Sequence, residues 1–359
     1  MRFEWRYFPA VAIRLGQLQT PFPNEIVAEL SGLLDEGAAH EISGDVAAAT
    51  RLSNWSLLAR VGRVAATTSF YPSPPHIRWL RRAKLYLSCA ARWRALRAWH
   101  ERHANPHDAQ ILVRHPLFPV LIKRPYINST WPIGKTQAVI EGHYQFVRRC
   151  APMLAFAPDG ARRIASLDSD LPGLHIVLDK SPWFQNEGEV VLNLFLQDER
   201  VYSLAFSLGF EGGEPVGLIG ALQGSGHGPD ALQRHRVITR RAFGMRSRDL
   251  IFSAFAILCA ELGIQKILAP GKAHSVVKSE YFGGGTRTLH ADYDSIWAQY
   301  GARPTGDGTM FEMPASLRFR SPSEIPSKKK AMYRRRYEML RTLQADLAKF
   351  VSNGGADTT

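Results

Sequence analysis

The chain predicts an α+β fold, a mostly antiparallel sheet flanked by helices. Three features carry that expectation. The 359 residues are 45% apolar and 21% charged, a globular balance that excludes a disordered chain. Strand-like runs follow one another through the middle of the sequence, separated by turn signals. They give way to a strongly apolar helix and then a long amphipathic one. The strands are LHIVLD (174–179), EVVLNLFLQD (189–198), RVYSLAFSLGF (200–210) and PVGLIGALQG (215–224). The second and third meet at Asp198-Glu199-Arg200, which reads as a tight hairpin turn. The helix after AFGMRSRDL has Ser247 as N-cap, Asp249 in its first turn and Gly263 just past its end, before the short strand KILAP (266–270).

The rest divides around that centre. Residues 1–105 read as a helical, basic, Trp-rich region, with YPSPP (71–75) as a break. Residues 106–350 read as the α+β domain, with a proline-rich irregular entry and a helix near 135–150. Residues 351–359 read as a disordered tail. Three widely spaced cysteines, Cys89, Cys150 and Cys259, exclude a disulfide scaffold and read as buried thiols of a reducing compartment. The N-terminus lacks the pattern of a secretory signal, and no apolar run has the length of a membrane span. The expected location is cytoplasmic, peripheral to an inner membrane where the positive surface permits.

Lys+Arg 45 against Asp+Glu 32 gives a net charge of +13. From Val46 to His100 there is no acidic residue. HIRWLRRAKLYLSCAARWRALRAWHERH reads as one helix whose apolar side is Leu80, Leu85, Leu87, Ala91, Leu96 and Trp99. Such a helix is either a solvated face with inward tryptophans or a surface for anionic lipid, a partner helix or nucleic acid. A second cluster, Lys328, Lys329, Lys330, Arg334, Arg335 and Arg336, opens a helix starting near Ser327. Its apolar face is Met332, Leu340, Leu343, Leu347 and Phe350. Cations at a helix start oppose its dipole, which hints at an anionic partner.

The richest segment for chemistry is GALQGSGHGPDALQRHR (220–236). Gln223, Gly224, Gly226 and Gly228 end a strand in the spacing Q-x-x-G-x-G. Glycines let backbone N–H groups cradle a pyrophosphate, and a following helix start adds favourable dipole. This resembles the pyrophosphate loop of GNAT-type acyl-CoA N-acyltransferases. The resemblance implies acyl-CoA or acyl-carrier protein as donor, held by these four residues and Arg246. The alternative is a flexible glycine-rich hairpin loop. Walker and Rossmann loops are excluded by the missing GK[ST] and the missing parallel βαβ unit.

His227 and His274 are the candidate catalytic bases, the latter because it follows a strand end. His235 shares with His227 a stretch read as loop. No histidine has metal-ligand spacing, so no metal is expected. Asp292 and Asp294, beside Tyr293 and Trp297, read as an acid–base pair or, for one of them, a helix cap.

Several motifs in order resemble the bacterial VirK/YbjX family. They are HPLFPVLIKRPYINSTWPIGKTQAVIEGHYQFV, RVYSLAFSLGF, IGALQG, ITRRAFGMRSRDLIFSAFAILCAELGIQKI, DYDSIWAQYG, FEMP and SEIPSKKKAMYRRRYEML. Trp131 with His143-Tyr144, Gln223-Gly224 and the basic run from Lys329 to Tyr337 match family features. Thr239-Arg240, Gly244-Met245-Arg246-Ser247 and APGKAHSV around His274 depart from its usual pattern. The resemblance implies virulence and envelope or antimicrobial-peptide phenotypes, with no settled biochemical activity. The sequence therefore supports an acyltransferase moving an acyl group from a thioester to an amine or hydroxyl. The alternatives are a non-enzymatic membrane-peripheral accessory protein and, on net charge alone, a nucleic-acid binder. Partners would be an anionic membrane surface or an acidic carrier protein.

Overall fold

The computed structural model describes residues 61, 75–105, 107–121, 124–167, 171–226, 228–282, 291–317, 319–321 and 323–353. The YPSPP break up to residue 74, the helical reading of residues 1–70 apart from Val61, and residues 354–359 of the tail lie outside them. The described residues divide into two compact units, a smaller one up to Arg124 and a larger one from Pro125 onward.

The smaller unit contains α1 (Pro75–Ala91), α2 (Trp93–His103) and α3 (Ala109–Arg114). The single basic helix of the sequence reading is thus two helices, broken at Arg92, which sits outside helical geometry at φ −116° and ψ 21°. Its expected apolar side splits as well. Leu85, Leu96 and Trp99 are buried with Cys89, whereas Leu80, Leu87 and Ala91 are exposed, Leu87 by 71%. The indole of Trp99 donates to the His115 carbonyl and packs beside Phe118, so this tryptophan is an inward anchor.

The larger unit is an eight-stranded sheet with helices, an α+β architecture. Its strands are β1 (Ala161–Ser166), β2 (Leu174–Asp179), β3 (Val190–Leu196), β4 (Glu199–Glu211), β5 (Glu214–Gly224), β6 (Lys266–Pro270), β7 (Arg303–Pro304) and β8 (Met310–Pro314). Their spatial order is β1-β2-β3-β4-β5-β6-β8-β7. Every neighbouring pair is antiparallel except β5 and β6. The helices are α4 (Ile133–Cys150), α5 (Pro229–Arg241), α6 (Ser247–Glu261), α7 (Tyr293–Gln299) and α8 (Lys330–Asn353). The last runs three residues into the segment read as a tail.

Two turns explain the meander. Leu196 pairs with Glu199, so the β3–β4 turn is Gln197-Asp198, one residue earlier than the sequence reading, and Gln197 takes φ 57°. Between β4 and β5, Gly212 and Gly213 sit at φ 60° and 90°, the paired positive angles of a two-residue hairpin. Tyr202, Leu204, Phe206, Leu208 and Phe210 share one face of β4 by the strand's period of two. All five belong to or pack against the main core, and Phe206 meets Phe255 of α6 at 4.8 Å. Leu250, Ile251, Phe255 and Leu258 of α6 are fully buried or nearly so, each contributing about 1.5–3 kcal/mol of transfer free energy. Helix α6 ends as the sequence reads it. Ile264 donates to the Cys259 carbonyl and Gly263, at φ 74°, donates to that of Ala260, the Schellman pattern. Its start differs: Arg246 occupies the N-cap position, and Ser247 is the first helical residue. Cys89 and Cys259 are buried and their thiols are pushed up by desolvation, but Cys150 is exposed, against the expectation that all three pack inside.

The sheet carries one defect of consequence. Ala205 faces Ala221 and Phe206 faces Ile219, so Gly220 is an extra residue in β5, a β-bulge. The chain entering β3 crosses over it. A side-chain carbon on Gly220 would lie 1.9 Å from the Glu187 carbonyl oxygen, and one on Gly188 would lie 2.5 Å from the Phe206 backbone. Gly220→Ala should therefore destabilise the fold by about 3 kcal/mol, the upper end for overpacking. Urea unfolding checks this, and a midpoint within error of wild type would mean that the crossing segment yields freely.

Candidate functional site

Strands β5 and β6 pair only over Val216–Lys266, Gly217–Ile267 and Leu218–Leu268. Beyond that, β5 runs on from Ile219 to Gly224 without β6, and the two strands part. Backbone groups in such a gap need partners. Helix α7 supplies them. The Tyr293 hydroxyl lies 3.2 Å from the Leu222 nitrogen and 3.4 Å from its carbonyl oxygen, and the Trp297 indole donates to the Pro270 carbonyl at 2.9 Å. One side chain serves β5 and the other β6, with their rings 5.3 Å apart. Burial holds the Tyr293 phenol well above its ordinary pKa, with the nearby Tyr202 and Glu187 adding to that, so it stays protonated.

The glycine loop leaves β5 at the mouth of this gap. Ser225 donates its N–H to the Val201 carbonyl and its hydroxyl to the Arg200 carbonyl, tying the loop to β4. Gly226 and Gly228 take φ 75° and 106°, angles that side-chain-bearing residues rarely adopt. The helix follows at once: Gly228 occupies the N-cap position and Pro229 the first turn of α5, where proline's missing N–H costs nothing. His235 lies on α5, not in a loop. Its Nδ1 bonds the Ser247 hydroxyl at 3.1 Å, and its Nε2 lies 3.5 Å from where a Gly224 side chain would begin. The imidazole thus ties the start of α6, and with it exposed Arg246, to the end of β5. Gln223 is the last residue but one of β5 and is half-buried. His227 lies outside the described residues.

Because β5 and β6 are parallel, the glycine loop and the turn after β6 leave the sheet at the same edge, the edge where open α/β sheets place ligands. That turn, Lys272–His274, carries His274. Its Nδ1 is buried without a partner among the described residues, as are the hydroxyls of Ser275 and Ser279. Ser275 is 1% exposed. Three orphan polar atoms in adjoining turns call for a ligand or solvent partner. The turn is fixed from two sides: the Asp294 carboxylate accepts the Lys272 N–H at 2.7 Å, and the His274 carbonyl accepts that of Ser129. Asp292 takes the N-cap position of α7 and accepts the Ser295 hydroxyl, which lowers its carboxyl pKa. The two carboxylates therefore serve structure separately and do not form an acid–base pair. No group of three or more metal-ligating side chains occurs among the described residues.

A second polar cluster is absent from the sequence reading. The Glu189 carboxylate is fully buried and accepts the hydroxyls of Tyr126 at 2.8 Å and Tyr144 at 2.7 Å. Ser207 lies 2.7 Å from the Tyr126 oxygen. Next to it, His143 Nδ1 accepts the Leu208 N–H, just past the point where β3 stops pairing with β4. Ile127, between Tyr126 and Asn128, holds φ 58°, a strained angle for a β-branched residue. Sixty-three residues separate Tyr126 from Glu189, and no periodicity links them. The one sequence signal is the His143-Tyr144 pair.

What stands here is an α+β protein with a glycine loop, a helix start and orphan polar atoms at one edge of a parted strand pair. The chain belongs to the DUF535 family, described as a protein of unknown function, whose model matches residues 76–349. It is 26% identical to the uncharacterized protein YbjX of Escherichia coli strain K12 over 68% of this chain and 74% of that one. An uncharacterized protein of Haemophilus influenzae is 26% identical over 72% of this chain and 87% of its own. The resemblance to the VirK/YbjX family is thereby shown. No solved structure matches the chain.

Two outcomes test the packing around the site. Tyr126→Phe leaves a buried carboxylate oxygen short of a donor and should cost about 1.5–3 kcal/mol in urea unfolding; an unchanged midpoint would mean the bond contributes nothing. Burial, and then Arg234, lowers the pKa of His235. A histidine depressed on folding adds stability that is complete above its unfolded value of about 6.5 and is lost as pH falls below it. Wild type should lose more stability between pH 7 and pH 5 than His235→Gln, and equal losses would contradict that role.

Proposed function

We propose that this protein is a GNAT-like acyltransferase that moves an acyl group from a CoA or carrier-protein thioester to an amine or hydroxyl. The observation that carries the reading is the parting of β5 and β6 beside a Q-x-x-G-x-G loop that turns directly into a helix. The place of this loop at the end of an antiparallel meander also resembles that of the pyrophosphate loop in GNAT-type acyltransferases. In this reading Gln223, Gly224, Gly226 and Gly228 hold the donor's phosphates with backbone N–H groups at the α5 start, and Arg246 adds a cation. The acyl-bearing arm lies at the mouth of the gap, beside the end of β5 from which the loop leaves.

His274, with its buried Nδ1, is the base for the acceptor. The acceptor's nitrogen or oxygen attacks the thioester carbonyl carbon and gives its proton to the imidazole. The C–S bond breaks as the C–N or C–O bond forms, and the thiolate leaves and takes up a proton. Tyr293, kept protonated by burial, is the hydroxyl held in the gap. His227 remains the second candidate base in the loop itself.

Gly226→Asp puts a carboxylate where the phosphates would sit. Aspartate tolerates the positive φ better than most residues, and a side-chain carbon there has 3.4 Å to Ala231. The variant should fold with its thermal midpoint lowered by about 2–4 °C, roughly 1 kcal/mol for the positive φ, and lose acyl-CoA binding in calorimetry together with turnover. Retained binding in this variant sinks the assignment.

A non-enzymatic reading has its own support in the smaller unit. Leu80, Ala83, Leu87 and Ala91 line an outward face of α1, with Arg82 and Lys84 exposed nearby. A basic helix with an apolar stripe suits an anionic lipid surface. Leu87→Glu should then reduce sedimentation with anionic vesicles several-fold, and unchanged sedimentation would remove this reading. Among the described residues no helix is long and apolar enough to cross a membrane.

A further inference from the structure

Two basic segments about ninety residues apart meet on the larger unit. Arg336 on the second turn of α8 donates twice to the Phe243 carbonyl, at 3.0 and 2.6 Å. Phe243 and Gly244 form the turn between α5 and α6 at φ 52° and 78°. Met332 lies against the same glycine, its sulfur 3.5 Å from where a side chain would begin. This clamp brings exposed Arg240, Arg241 and Arg246 beside exposed Arg335 and the exposed lysine triplet 328–330. None of the seven has an ion-pair partner among the described residues. The triplet stands at a helix start, where cations oppose the dipole, so these lysines do not serve the stability of α8. Their charge is directed outward.

We propose that this surface docks an acidic carrier protein, which presents the acyl group on a phosphopantetheine arm. The inference rests on the acyltransferase reading and narrows its donor. Helix α5 joins the two places: its first turn follows the glycine loop and its last residues are Arg240 and Arg241. Its thirteen residues span about 20 Å, a length that the arm of a docked carrier covers, its phosphate staying at the docked end and its thioester reaching the glycine loop, whose N–H groups then meet the arm's amide carbonyls where with free CoA they meet phosphates. A lipid surface fits less well, because Phe319, the large exposed apolar side chain at this patch, lays its ring against Tyr337 at 4.8 Å instead of standing out among the cations. Nucleic acid fits less well too, because the ring of Tyr333 within the patch is covered by Arg336 at 4.4 Å, with Arg320 at 5.8 Å.

The experiment titrates the full chain, at physiological salt, with a bacterial acyl-carrier protein lacking its arm, the same protein carrying it, and free CoA. The comparison variant is Lys328→Glu/Lys329→Glu/Lys330→Glu, with Arg240→Glu/Arg241→Glu as a second. The triple variant should melt no lower than wild type, since acids suit a helix start. Expected is binding of the armless carrier that weakens at least about ten-fold in both variants, with CoA binding unchanged. If CoA binds and neither carrier form does, the docking surface is overturned and the acyltransferase reading stands. If the armless carrier binds at the patch but CoA and the arm add nothing, the surface stands and that reading falls. If anionic vesicles or an oligonucleotide bind through the triplet and the carrier does not, the assignment of the partner is overturned.

Discussion

The parting of β5 and β6 after three paired residues is the constraint on which much of the larger unit depends. A sheet interior cannot leave N–H and C=O groups bare, so something must enter the gap. Tyr293 and Trp297 do so from one short helix, and Asp294 of that helix also holds the turn bearing His274. On the other side of the same strand, the Gly220 bulge admits the Glu187 carbonyl at a distance that only glycine allows. The segment so held leads directly into Glu189, and thence to the Tyr126 and Tyr144 hydroxyls. One irregular strand thus organises the ligand edge, the crossing segment and the buried carboxylate.

Charge is distributed by a different logic. The cations at the start of α8 oppose its dipole, yet the helix is anchored further along by Leu340, Leu343 and Leu347, buried against α6 and β1. Apolar burial of about 1.5–3 kcal/mol per side chain outweighs a dipole penalty of about 0.3–1 kcal/mol per charge. The exposed positions are therefore free to carry charge for a purpose other than folding. Arg336 is the exception, spent on the Phe243 carbonyl.

Much of the site region was legible residue by residue. The strands at 174–179 and 266–270 and the Schellman glycine Gly263 follow from alternation, apolar runs and turn chemistry, which are local. Gln223, Gly224, Gly226 and Gly228 could be read as a loop at a strand end for the same reason. The basic helix misled, because its apolar residues at 80, 87 and 91 look like a core stripe and face outward. Ser247 misled too. A serine before an apolar run is an ordinary cap, but here its hydroxyl bonds His235, a residue twelve positions back.

The sequence by itself determined the α+β class, the meander, the end of α6 at Gly263, and the two concentrations of positive charge. These depend on short-range preferences, each decided within a few residues. Only the tertiary structure decided that β6 lies parallel to β5 and parts from it, which brings the glycine loop and His274 to one edge. It alone joined Tyr126 to Glu189 across 63 residues and Arg336 to Phe243 across 93. The bulge at Gly220 belongs with these, since it exists only relative to the partner strand. Contacts of that kind arise from register and packing between distant segments, for which a chain carries no local signal.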